Sequence, residues 1–498
     1  MTKAPRELLE RGVVAAERGR VTEGLELIRA ACVADPRDAE AFAQLARWLS
    51  KLHRAAEALA AVEQALRMQP SSARTLDTLG VVLSRAGLHQ RAVDCFERAT
   101  SLQPGSASLH FNRAASLKIL GRFNAAEEAY EACLRCDPQF WRAYSALAHL
   151  RTHTLEHNHV ERLTALLDAS TLPPDAELHL RHALARELED LGRYAESFEQ
   201  LVLGKLRKRR TLDYSFVRDA ALFDAALRLF ATQPLPSPPP ATPANVVPEN
   251  APIFVVGMPR TGTTLVERIL SSHAQVASVG ESQNFGVLLK RAAGTPSARV
   301  LDEATLTRST ALDLGAVGAA YLQQTRPDSS KPRFVDKMPL NFFYLGHIAR
   351  ALPGARFVVL RRHPLDTCLS NFRQLFAPGF SYYEYAYDML DTGRYYVMFD
   401  RLMAHWQQVL PGRILQVRYE SLVTDQRQET ARLLEHCNLE WDERCLDFEH
   451  NPEAVATASA VQVRQPLNAS GAGRWRHYES QLQPVAELLR TAGISTDC

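Results

Sequence analysis

The chain has 498 residues, 46% hydrophobic and 23% charged, with a formal net charge of +2. That length exceeds what one hydrophobic core organises, so two or three domains are expected. A charge so near zero argues against a nucleic-acid or anionic-membrane partner, and no apolar run reaches the length of a bilayer span. The opening residues, Met1 to Glu7, lack the apolar segment of a secretory signal, so a soluble, cytoplasmic protein is expected. Eight cysteines suit a reducing compartment. Cys133 and Cys136 form a C-x-x-C pair, but no second pair or histidine set completes a zinc site. They read as ordinary helix residues, and no metal is implied.

Pro36, Pro70, Pro104 and Pro138 recur every 34 residues, the period of the tetratricopeptide repeat, a pair of antiparallel helices. The phase holds in other columns. Gly12, Ala46, Gly80 and Ala114 share one small-residue site, and Gly24, Ala58, Ala92 and Ala126 share another. Ile28, Val62, Phe96 and Tyr130 share a large apolar one. Small residues let paired helices approach, large ones fill the gap between repeats, and proline ends the second helix. Gly19, Gly87 and Gly121 mark the turns between helices. A fifth repeat starts near Trp141 and degrades through 152–159, a degenerate unit lies between Pro174 and Arg210, and one more helix covers 213–232. Such an array presents a groove suited to a peptide or protein, or serves as a scaffold.

Eight prolines between Gln233 and Pro252 cannot continue a helix and read as a semi-rigid spacer. The expected division is a repeat domain over 1–232, a linker over 233–251 and a second domain over 252–498. That second domain opens on the apolar strand Ile253–Val256, a turn holding Gly257, Pro259 and Gly262, and an amphipathic helix from Thr263. Strand, turn and helix N-terminus aim backbone N–H groups at one point, where an oxyanion is favoured. The spacing is close to a G-x-x-x-x-G-K-[ST] loop, but Thr263 stands where the lysine would be. The fixed charge is Arg260, whose planar guanidinium can donate to two oxygens of one phosphate or sulfate.

Further strands are expected at 333–336, 355–360 and 413–418, separated by helices. This alternation predicts a parallel sheet whose ligands collect at the strands' carboxyl ends. Arg362 ends one strand, and Ser370 follows about two turns along a helix opened by Pro364. Val279-Gly280-Glu281-Ser282, Asp336-Lys337-Met338-Pro339, Arg418-Tyr419-Glu420 and Gly471-Ala472-Gly473-Arg474-Trp475 also fall at element ends.

P-R-T-G-T-T-L behind V-V-G resembles the 5′-phosphosulfate loop of sulfotransferases that use 3′-phosphoadenosine 5′-phosphosulfate (PAPS), and is most similar to that of tyrosylprotein sulfotransferases. The resemblance covers about residues 252 to 478. It implies an α/β, P-loop-like parallel-sheet domain behind an all-α repeat superhelix, with PAPS as co-substrate and no metal. It assigns Arg260, Thr261, Gly262, Thr263 and Thr264 to the 5′-phosphosulfate, and Arg362 with Ser370 to the 3′-phosphate. His363 departs from the Asp common there. Glu281 is implied as the catalytic base and Lys337 as the cation near the leaving phosphate, with Arg260 shared between binding and catalysis. Tyr419 is implied at the adenine, and Ser459, Arg464 and Gly473 in the loop closing over the nucleotide. The implied reaction is sulfuryl transfer to a hydroxyl, with a peptide or protein tyrosine as an acceptor the repeats could recruit. Two alternatives stay open: a nucleotide phosphotransferase with a degenerate loop, and a non-enzymatic repeat scaffold.

Overall fold

Helices begin at Pro5, Ala39, Ala73, Ala107 and Trp141, each 34 residues after the last, and their partners begin at Val21, Ala55, His89 and Phe123 on the same period. The computed structural model describes residues 5–52, 54–169, 171–230, 251–297, 299–325, 327, 329–376, 381–451, 453, 462–464, 466–467 and 471–497. It forms two compact units, one built on Met1–His157 and the other on Asn158–Pro452 and Gln462–Cys498.

In the first unit the repeat columns explain the packing. A methyl group added at Gly12 would stand 2.8 Å from Ile28, and one at Gly80 would stand 2.6 Å from the Phe96 ring. Ala46, Ala92, Ala114 and Ala126 are fully buried, as are the apolar partners Ile28 and Val62. Gly19, Gly87 and Gly121 take φ between 78° and 84° at the inter-helix turns, a backbone region that favours glycine. Cys133 and Cys136 both lie on the helix Phe123–Cys136, and burial pushes the Cys133 thiol up to about 12.

The second unit begins with more helices, Val160–Asp168, then the antiparallel pair Pro174–Asp190 and Tyr194–Arg209, then Phe216–Arg228. The pair turns at Gly192, φ 75°, as the degenerate repeat predicts. Five strands follow: β1 (Ile253–Gly257), β2 (Val276–Ser278), β3 (Arg333–Asp336), β4 (Arg356–Arg361) and β5 (Ile414–Arg418). They form one sheet in the order β2-β3-β1-β4-β5, and every adjacent pair is parallel. The three-residue β2 escapes sequence inspection because it is too short for a periodic signal. Of the expected linker only Ala251 lies among the described residues. The proposed division at 233–251 separates the two sequence patterns, whereas compactness divides the chain at His157 and Asn158.

Alternate residues of each strand serve opposite faces. Ile253 and Val255 join Val335, Val358, Leu360 and Val417 under the helices Thr263–Ser272 and Gln426–His436. Phe254, Val256, Phe334, Phe357 and Val359 face a second core built with Tyr321, Phe342, Phe343 and Trp406. Phe223, from the helix Phe216–Arg228, lies in that second core with no exposure. Its ring centroid is 4.7 Å from Phe343 and 4.9 Å from Tyr395. Phe223→Ala should therefore destabilise the sheet-bearing unit by about 3–5 kcal/mol. Urea denaturation of the intact chain measures this, and an unchanged midpoint would show that the helix does not belong to the core. Among the described residues no helix is long and apolar enough to cross a membrane.

Candidate active site

Because all five strands run parallel, their carboxyl ends share one edge, and the groups singled out by sequence fall along it in sheet order. Glu281 follows β2, Lys337 follows β3, the loop Met258–Gly262 follows β1, Arg362 follows β4 and Tyr419 follows β5. From central β1 the chain winds first toward β2 and β3, then across to β4 and β5. The loop after β1 thus sits at the topological switch point, where such sheets bind ligands.

The loop is built around unusual backbone. Arg260 takes φ 67° and Gly262 φ 105°. For a residue with a Cβ the left-handed region costs about 1 kcal/mol or more, and such positions concentrate at functional sites. The Thr261 hydroxyl is consumed inside the loop, donating to the Met258 carbonyl at 2.7 Å. Thr263 and Thr264 are buried in the first turn of the helix Thr263–Ser272. A Cβ at Gly262 would stand 2.8 Å from the Tyr419 ring, so glycine is what allows that ring to lie against the loop.

Arg260 and Arg362 come together. Nη1 of Arg362 donates to the carbonyl oxygen of Arg260 at 3.1 Å, and its Nη2 donates to the Gly471 carbonyl. The Arg362 guanidinium stacks 4.8 Å above the Tyr419 ring, and its buried Nε has no hydrogen-bond partner among the described residues. Burial, then the charges of Arg362 and Arg474, hold the Arg260 guanidinium down to about 10. Three guanidiniums meet at this corner; Arg362 has Asp366 3.8 Å away and Arg474 has Glu189 at 3.0 Å, and an anion would relieve the repulsion that remains. The two neighbouring arginines differ. Arg361 is held by Asp400, which leaves only Arg362 facing the loop after β1.

On the other side of β1, Lys337 is fully buried. Its Nζ meets Oε1 of Glu281 at 2.5 Å and Oε2 of Glu267 at 3.8 Å. Its backbone N–H donates to the Gly280 carbonyl at 2.9 Å, which ties the ends of β2 and β3. Glu281 keeps 41% of its side chain exposed, so its second oxygen can receive a proton from an incoming group. Next to Lys337, burial pushes the Asp336 carboxyl up to about 7 against the hydrogen bond from Tyr321, whose hydroxyl lies 2.6 Å away.

Several supporting residues escape sequence inspection. Asp366, 1% exposed, accepts the backbone N–H of Gly473 at 2.7 Å and of Trp475 at 2.9 Å. Asn371 donates to the Pro259 carbonyl at 2.8 Å and accepts from Tyr385. Glu267 accepts from Ser278 at 2.5 Å. Only Glu267 offers a signal, a carboxylate inside the apolar run of its helix. His363, the departure at the β4 corner, stacks on Trp475 with centroids 5.0 Å apart and planes 7° from parallel. Its backbone N–H donates to Glu420 Oε1 at 2.8 Å.

The remaining assignments are placed less directly. Ser370 is half-buried on the helix Pro364–Phe372, one residue before Asn371. The Gly473 N–H, at φ 72°, is taken by Asp366, so that residue shapes the closing strap through its backbone. Arg464 lies on the turn Gln462–Arg464, which packs near the helix Thr263–Ser272. Ser459 falls outside the described residues.

Residues 252–443 match the sulfotransferase family, and residues 44–107 and 78–139 match the tetratricopeptide repeat. A stretch matching the tetratricopeptide repeat thus precedes one matching the sulfotransferase family. It is 28% identical over 386 residues to an uncharacterized protein of Aquifex aeolicus (strain VF5), covering 75% of this chain and 49% of that protein. It therefore spans about half the length of that relative. A putative protein-tyrosine sulfotransferase of Caenorhabditis briggsae is 26% identical over 262 residues, covering 49% of this chain and 89% of that one. Among solved structures, a sulfotransferase domain from the curacin biosynthetic pathway aligns at 16% identity and TM-score 0.32, over 48% of this chain and 98% of that one.

Proposed function

We propose that this chain, with its sulfotransferase-family domain, transfers a sulfuryl group from PAPS to an acceptor hydroxyl, with a peptide or protein tyrosine as the favoured acceptor. The observation that carries this is the order of groups on one sheet edge: a paired base and cation beyond β2 and β3, an oxyanion loop after β1, and a second guanidinium after β4. A donor with negative charge at both ends matches that spacing of cations. Two features fit it to these residues: the buried Arg362 Nε, without a partner among the described residues, and the Tyr419 ring held between Gly262 and Arg362.

When bound, the donor would supply the sulfuryl group and leave as adenosine 3′,5′-bisphosphate. Arg260, the loop N–H groups and the threonines of the first helical turn hold the phosphosulfate end, while Arg362 and Ser370 hold the 3′-phosphate. Tyr419 offers a face for the purine. Glu281 takes the proton of the acceptor hydroxyl on the oxygen that Lys337 does not occupy. Lys337, already desolvated, offsets negative charge where it grows on the leaving phosphate. Such transfers need in-line positioning and charge neutralisation rather than covalent help from the protein.

The tyrosine acceptor draws support from the named relatives, and the repeats are assigned to recruit it, since stacked helix pairs present grooves suited to peptides. The test is incubation of the intact chain with radiosulfate-labelled PAPS and tyrosine-containing peptides, beside phenylalanine-substituted controls. Label is expected on the tyrosine peptides alone. Label on the controls, or on carbohydrate in a host lysate instead, would reject the acceptor.

A further inference from the structure

Helix Pro174–Asp190 precedes the matched sulfotransferase residues 252–443, yet one of its carboxylates reaches the strap beside Arg362. We propose that this carboxylate, Glu189, is a positioning residue for the donor site, holding Arg474 and with it the strap Gly471–Trp475 across Arg362. The inference rests on Arg260 and Arg362 marking the two ends of a bisphosphate site.

Glu189 is 6% exposed and its two oxygens serve different arginines. Oε1 accepts from Arg474 at 3.0 Å, Oε2 accepts from Arg373, and Arg186 Nη1 lies 3.5 Å from Oε2. Arg373 caps the end of the helix Pro364–Phe372, which starts at the β4 corner. The same repeat-like helix grips that point again, because His182 Nε2 donates to the Arg373 carbonyl at 2.7 Å.

The strap is thus clamped from two sides. Asp366 takes the N–H groups of Gly473 and Trp475, and Glu189 takes the intervening Arg474 side chain. Upstream, the Gly471 carbonyl accepts from Arg362, and Gly471 lies so close to Tyr419 that a Cβ would stand 2.7 Å from its hydroxyl. A freed Arg474 would let the strap leave both Arg362 and Tyr419. Arg474 is also near enough to Arg260 that its charge helps depress that guanidinium.

A buried carboxylate among arginines could equally serve only as a neutraliser, and the two roles predict opposite signs. If Glu189 merely cancels charge, Glu189→Gln raises the positive potential and tightens anion binding. If it positions the strap, the same change weakens binding despite the higher potential.

Isothermal titration of the intact chain with adenosine 3′,5′-bisphosphate, at fixed salt, reads the sign. Glu189→Gln is expected to weaken binding about tenfold or more, the scale of one lost charge-assisted hydrogen bond. Arg474→Gln should match it, and the double variant should be no weaker than Arg474→Gln alone. Unchanged or tighter binding by folded Glu189→Gln overturns the inference, as does an effect that persists in the Arg474→Gln background. If Glu189→Gln fails to fold, Arg474→Gln decides alone, its side chain being 30% exposed; unchanged binding there overturns the inference. Failure of the unmodified chain to bind the bisphosphate would instead overturn the proposed function, and it is seen before any variant is made.

Discussion

Replacing Arg362 with alanine is expected to weaken adenosine 3′,5′-bisphosphate binding by roughly two to three orders of magnitude, since charge-assisted hydrogen bonds contribute about 1.5–3 kcal/mol each. Two losses combine. The proposed 3′-phosphate loses its forked donor. The loop after β1 also loses the Nη1 contact that fixes the carbonyl of Arg260, and the strap loses the contact at Gly471. Arg361→Ala is the internal control, because it removes the same charge one residue away. Arg361 is engaged by Asp400 and packs over Phe399 at 5.3 Å, so its loss should lower stability while leaving bisphosphate affinity within about threefold. Calorimetric titration of both variants checks this. Equal weakening by the two would mean that diffuse positive potential draws the anion, and the built site would be refuted.

How far the residues themselves announced this arrangement depends on the range over which each signal acts. The repeat array is legible because its interactions recur. Gly80 facing Phe96 is the same contact as Gly12 facing Ile28, so columns of small and large residues survive in the sequence. The strand–loop–helix corner is legible because a tight turn restricts which residues fit, and Gly262 can be nothing larger against Tyr419. Asp366, Asn371 and Glu189 leave no such trace. Each acts on residues far along the chain, Asp366 on Gly473 and Glu189 on Arg474, and no local rule couples those positions. The two adjacent arginines at the end of β4 make the same point. Only the place of Asp400 on the facing helix Met389–Val409 tells the structural one from the one that faces the loop. Phe223 is a further case. Its helix reads as the end of the repeats, while its ring belongs to the sheet's core, because packing ignores the boundary that the proline run suggests.

Glu281→Gln should lower kcat by about two to four orders of magnitude, the usual scale for removing a positioned general base, and leave bisphosphate affinity within about threefold. The separation follows from where the residue sits. Glu281 lies beyond β2, two strands from the β1 loop, and its carboxylate pairs with Lys337. Lys337 is buried, so losing a charged partner lowers stability, but Glu267 stays 3.8 Å from its Nζ, and the fold of the variant is checked alongside. Glutamine keeps the side chain's size and can still accept from Lys337, but its carboxamide does not take up a proton at neutral pH. A purely structural partner for Lys337 would tolerate the change with kcat nearly intact. Single-turnover measurement at saturating donor distinguishes the two, because it isolates the chemical step from product release. Should the chemical step survive within about threefold, the proton must leave by another route, and Glu281 would be reduced to holding Lys337 in place.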